Sequence, residues 1–259
     1  MYLEFAGLPA SGKSTLSSTL KKYLDTLPKQ VFSRKEAMIQ SLRRRDDGHV
    51  KNVLKLLPSR FWWPLMGSQF ALPEFVSLSS RHLKFIIFIS KMLSESNLPK
   101  RLIESIWDTT VRTFSEIQLI SQHIGDSEII IMDEAFFQRC FTLFGYMEST
   151  ISDDLISHYA ELAPISDHIF WIVTSPQSCV DRLKLRYQNQ TSPYELSSRE
   201  LIRNFESGNN VLMRLSNALE SQGKCVHRIP GDDDKDVSIA KICKAAEMIL
   251  AQKDLIKKV

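Results

Sequence analysis

A chain of 259 residues, 43% hydrophobic and 24% charged, has the composition of a soluble globular protein and excludes a fibrous or disordered one. The formal charge of +3 is too small to predict a nucleic-acid partner. Four scattered cysteines (Cys140, Cys179, Cys225, Cys243), with no C-x-x-C pair and no His at ligand spacing, read as reduced thiols of a cytoplasmic protein.

Tyr2-Leu3-Glu4-Phe5-Ala6 reads as a strand that the chain enters directly, without a secretory leader. Leu16, Leu20, Leu24 and Leu27 then recur at helical spacing until Pro28. Between them stands GLPASGKST (7–15), which fits the phosphate-loop pattern G-x-x-x-x-G-K-[ST]. Gly7 and Gly12 let backbone bend closely around a phosphate, and Pro9, Ala10, Ser11 and Thr15 complete the wrap. Lys13 would reach the β- and γ-phosphates of ATP, and the Ser14 hydroxyl would ligate Mg²⁺.

A second short strand is expected at 30–33, then a helix from Arg34 to about Arg45. Residues 46–125 read as an almost wholly helical insertion, broken at Pro58, Pro64, Pro73 and Pro99. The basic run Arg43-Arg44-Arg45, followed by Asp46 and Asp47, reads as a solvated surface. Trp62-Trp63 reads as helix packing before it reads as a base-stacking wall. The apolar stretch 83–93 is too short to span a bilayer and carries Lys84 and Lys91, so a buried or interface helix is expected there. The longest helix candidate runs over 99–123, with Gly125 placed as its C-terminal cap.

Glu128-Ile129-Ile130-Ile131-Met132-Asp133 has the unalternating composition of a strand buried in a parallel sheet. Asp133 ends that strand, where an acidic group can complete a Mg²⁺ shell. Glu134 could polarise water or an acceptor hydroxyl, or pair with Arg139, itself a candidate acceptor contact. A fourth strand is expected at 168–173, and Ser175-Pro176 opens a helix. On that helix Arg182, Lys184 and Arg186 suggest a phosphate-facing lid over about 179–198. Ser197 to Glu200 reads as a capping box for a helix to about Ser221, with Gly223 beyond it. A fifth strand at 225–229 and a helix at 236–252 close the chain. Strands alternating with helices predict an α/β fold: one domain over 1–259, with a five-stranded parallel sheet, helices on both faces and the insertion.

On residues 7–15, 32–36, 129–134 and 180–186 the chain resembles the P-loop nucleoside and nucleotide kinases, most of all the thymidylate kinase branch. The resemblance implies a P-loop NTPase three-layer sandwich, with Arg34, Glu36 and Arg112 facing the acceptor and Arg182 and Arg186 closing over the transferred group. The chain departs from that branch in having Glu134-Ala135-Phe136 after Asp133, and in lacking a Pro-Gly-Gly continuation after Arg34. The expectation is an ATP- and Mg²⁺-dependent phosphotransferase acting on a small nucleoside, nucleotide or related metabolite, with no membrane partner. Catalysis falls to Lys13, Asp133, Glu134, Glu36, Arg182 and Arg186. A kinase acting on nucleic acid (a 5′ end or modified base) and a nucleotide-gated ATPase or switch stay open as alternatives, as does a homodimer.

Overall fold

The computed structural model describes residues 1–44, 72–125, 127–145, 151–188 and 196–256. Its strands are β1 (Tyr2–Gly7), β2 (Val31–Ser33), β3 (Ile129–Asp133), β4 (His168–Val173) and β5 (Cys225–Pro230). They form one parallel sheet in the order β2-β3-β1-β4-β5, flanked by helices. Phe5 is in register with Phe170 and Ile172 with Ile229. The unalternating apolar sequences of β3 and β4 are explained by burial: Ile129 to Met132 and Ile169 to Ile172 are all buried.

The chain divides into two compact units. The larger holds Tyr2–Val31, Ile131–Ala160 and Ile165–Val259. Its described helices are α1 (Lys13–Leu24), α6 (Phe136–Phe144), α7 (Asp153–Leu162), α8 (Pro176–Tyr187), α9 (Ser198–Ser221) and α10 (Lys235–Ile256). Its core joins Phe5 and Phe170, stacked at 5.1 Å, to Phe144 and Tyr159, whose rings meet edge to face at 5.7 Å. Each such fully buried aromatic contributes on the order of 2–3 kcal/mol. Gly208 lets α9 close on α6, since a Cβ there would lie 2.0 Å from the ring of Phe141. The expected caps form: Ser175 accepts from the Ser178 N–H, Ser197 and Glu200 make a reciprocal capping box, and Gly223 adopts a left-handed φ of 82°.

The smaller unit holds Met1, Phe32–Ile130 and Glu161–Pro164. Its described helices are α2 (Arg34–Arg44), α3 (Leu72–Arg81), α4 (Leu83–Glu95) and α5 (Lys100–His123), with α2 and α3 packed on α5. In α4, Phe85, Ile89 and Leu93 are buried at helical spacing, while Leu83 and Ile87 are exposed. Gly125 is not in the left-handed region expected of a helix cap; its N–H bonds the Glu128 carboxylate instead. Arg44 is no purely solvated charge either: its guanidinium pairs with buried Glu128 at 3.1 Å. Burial pushes the Glu128 carboxyl up, and the hydrogen bonds from Arg44 and Gly125 more than offset this, leaving it below the usual range. No helix of the described residues is long and apolar enough to cross a membrane. The readings placed on Arg45, Asp46 and Asp47, on Trp62-Trp63 and on residues 189–195 lie outside the described residues.

Candidate functional site

Two glycines shape the turn between β1 and α1. Gly7 has φ 148°, and a Cβ on it would stand 2.6 Å from the Ile172 carbonyl oxygen, so no other residue fits. Gly12, at φ 101°, is the N-cap of α1. No side chain of the described residues caps that helix start, and its first turn carries no acidic residue. The amides and partial positive charge there suit an anion. Ser14 and Thr15 are exposed on the same turn, and Pro9 and Ala10 are partly exposed along the loop. Ser11 is buried, and its carbonyl oxygen accepts from Thr174 Oγ1 at 3.1 Å.

Lys13 is buried, with Nζ donating to the carbonyls of Gly7 (2.7 Å) and Leu8 (3.0 Å) and lying 3.6 Å from Glu134 Oε1. Burial lowers the pKa of its ammonium, while Glu134, then Cys179 and Asp133, oppose the shift. Lys13, Asp133 and Glu134 are therefore brought together at this turn. The Glu134 backbone is left-handed at φ 67°, uncommon for a residue with a side chain. Both its peptide groups are clamped: its N–H donates to the Phe5 carbonyl (3.1 Å), and its carbonyl accepts from Arg139 Nη2 (3.2 Å). Its carboxylate is half exposed. Ser14 and Asp133 are hard oxygen donors, but the described residues contain no group of three or more His, Cys, Asp or Glu able to hold a metal. An ion that keeps several waters and takes phosphate oxygens, such as Mg²⁺, fits so sparse a protein shell.

Arg182 on α8 donates to the Ser11 carbonyl (3.3 Å) and the Gly231 carbonyl (2.9 Å), with Asp232 3.8 Å away. It straps the turn to the loop after β5. Arg186, one helical turn on, is exposed.

The remaining predicted residues lie in the smaller unit. Glu36 Oε2 accepts from the Ser33 N–H (2.8 Å) and Ser33 Oγ (2.9 Å), while the Glu36 N–H donates back to Ser33 Oγ (3.3 Å). This is a capping box for α2, spelled by Ser33-Arg34-Lys35-Glu36 in the sequence. Arg34 Nε donates to Glu116 Oε2 at 2.7 Å, and both side chains are largely buried. Arg112 stands one turn before Glu116 on α5, with a buried Nε that has no hydrogen-bond partner among the described residues.

Sequence reasoning missed Glu4, Gln138 and Glu116. Each had a signal, a polar residue within an apolar run or on the buried face of a helix. Compared with known proteins, the chain matches no family model and no curated protein.

Proposed function

We propose that this chain is a P-loop kinase of the nucleoside and nucleotide kinase type, transferring the γ-phosphoryl group of ATP to a small acceptor. The supporting observation is the turn itself: an uncapped helix start behind a left-handed Gly12, with buried Lys13 flanked by Asp133 and Glu134. Lys13 exchanges its bonds to the Gly7 and Leu8 carbonyls for phosphoryl oxygens, neutralising charge as it shifts during transfer. Ser14 and Asp133 would hold Mg²⁺, which would supply further charge neutralisation when bound. Glu36 is engaged in the α2 cap, so Glu134 is the better base for an acceptor hydroxyl. Arg34, oriented by Glu116, and Arg112 are the acceptor contacts that the kinase resemblance implies. Arg186 is the lid arginine; Arg182 would have to leave three backbone carbonyls, of Ala10, Ser11 and Gly231, to join it.

Acceptor-stimulated ADP release from Mg·ATP, measured over a panel of nucleosides, nucleoside monophosphates and sugars, tests the reading. Stimulation by one class, lost in Lys13→Ala, supports it. A slow release that no acceptor raises favours a nucleotide-gated switch, for which exposed Leu83 and Ile87 on α4 offer partner-facing apolar surface. The nucleic-acid reading leans on the basic run 43–55 and the aromatic cluster 61–63, of which only Arg43 and Arg44 are among the described residues.

A further inference from the structure

Glu4 is fully buried in the middle of β1, between Leu3 and Phe5, where a parallel strand normally carries only apolar side chains. Its Oε1 accepts from the backbone N–H of Gln138 at 3.2 Å, while its Oε2 is buried with no hydrogen-bond partner among the described residues. That amide lies in the first turn of α6, whose N-cap is Ala135, a residue unable to cap a helix with its own side chain. The cap of α6 is thus delivered across space from β1. Gln138 continues the chain of contacts. Its buried Oε1 accepts from the Gly7 N–H at 2.8 Å, while the Gly7 carbonyl accepts from Lys13. The Gly7 peptide is therefore held on one side by Gln138 and on the other by the ammonium expected to swing onto phosphate.

We infer that Glu4 and Gln138 are positioning residues for the nucleotide: Glu4 fixes the first turn of α6, and Gln138 on that turn fixes Gly7 while Lys13 changes partners. Once Lys13 leaves the Gly7 carbonyl, Gln138 is what keeps the turn in its receiving shape. A carboxylate makes stronger bonds to the α6 amides than a neutral carboxyl does. Burial pushes the Glu4 carboxyl up to about 7, against the pull of the α6 amides and Arg139. The grip on the loop therefore changes near neutral pH. The charged and titratable groups facing Glu4 are Arg139 from α6 and Tyr159 from α7. Tyr159 donates to the Phe136 carbonyl at 2.7 Å, and burial pushes its ionisation well above the ordinary range. Tyr159 therefore stays neutral through the window.

The inference rests on the turn being a nucleotide site. Its test is the affinity for a fluorescent ATP analogue with Mg²⁺, measured from pH 6 to 8.5 on the whole chain, Glu4→Gln and Gln138→Met, with melting curves on the same samples. Both variants keep side-chain size. Wild-type affinity is expected to tighten about fivefold relative to Glu4→Gln as pH rises through 7, the difference between charged and neutral hydrogen bonding. Gln138→Met should bind about tenfold more weakly than wild type at every pH, because the buried Gly7 N–H loses its acceptor. Parallel pH profiles for wild type and Glu4→Gln would overturn the role of Glu4. A wild type that weakens through 7 would mean that the carboxylate merely repels phosphate, and would overturn it equally. Unchanged affinity in Gln138→Met would remove Gln138. No binding by wild type at any pH would instead sink the nucleotide site itself.

Discussion

At the scale of single residues, the carboxylates separate by what already occupies them. Glu36 is committed to the α2 capping box, whereas the Glu134 carboxylate is half exposed beside Lys13. Glu36→Gln should therefore lower stability by up to about 1 kcal/mol and leave turnover nearly unchanged. Glu134→Gln should slow turnover with a hydroxyl acceptor about 10²-fold or more while ATP still binds. Parallel kinetics and melting curves on the two variants check this, and the reverse pattern would return the base role to Glu36. Glu4 gives a pH dependence of stability. Burial raises its carboxyl from 4.5 to about 7, so the folded chain binds this proton more tightly than the unfolded chain. Its contribution is fully present below about pH 4.5 and is lost as pH rises through 7, which corresponds to about 3 kcal/mol. Melting temperatures of wild type minus Glu4→Gln should fall between pH 4.5 and 7 and flatten above; a difference that rises with pH would contradict it. The ionised form that is expected to hold the nucleotide turn best is thus the form that costs the fold most.

At the scale of elements, the packing of α9 on α6 gives a stringent check on the larger unit. Gly208→Ala would set a methyl 2.0 Å from the Phe141 ring, and the ring is buried and has little room to yield. A loss of roughly 1–3 kcal/mol is expected from overpacking, read as a lowered midpoint in urea at unchanged slope. Strand and helix identity was legible in the sequence because burial and capping are written locally. The apolar runs of β3 and β4, the Ser197 capping box and Gly223 all form as read. What failed depended on side-chain partners that hydrophobic pattern alone does not announce. Gly125 looked like a helix cap, but Glu128 supplies a competing acceptor for its N–H. Arg44 looked solvated because its partner is 84 residues on. The Ser33 to Glu36 box was written locally too, yet its glutamate was read as chemistry. Glu4 was passed over as part of an apolar run, although a charge in a buried strand demands a partner, and α6 provides one.

At the scale of the molecule, a parallel five-stranded sheet in the order β2-β3-β1-β4-β5 puts β3 and β4 on either side of β1. The turn leaving β1 is then met by Glu134 from the end of β3 and by the Ile172 carbonyl and Thr174 Oγ1 from the end of β4. Ligand crevices of open parallel sheets form at these carboxyl ends, which is why one turn can collect a lysine, two acids and a helix start. On the proposed function, this turn holds the phosphates of ATP through Lys13. Calorimetric titration of the whole chain with Mg·ATP tests it most directly, compared with Lys13→Ala at equal fold stability. The account predicts one-to-one binding by wild type, with a Kd between about 1 μM and 1 mM, and a loss of at least about tenfold in Lys13→Ala. A wild-type chain that gives no binding signal, or a Lys13→Ala chain that binds Mg·ATP as well as wild type, would contradict it.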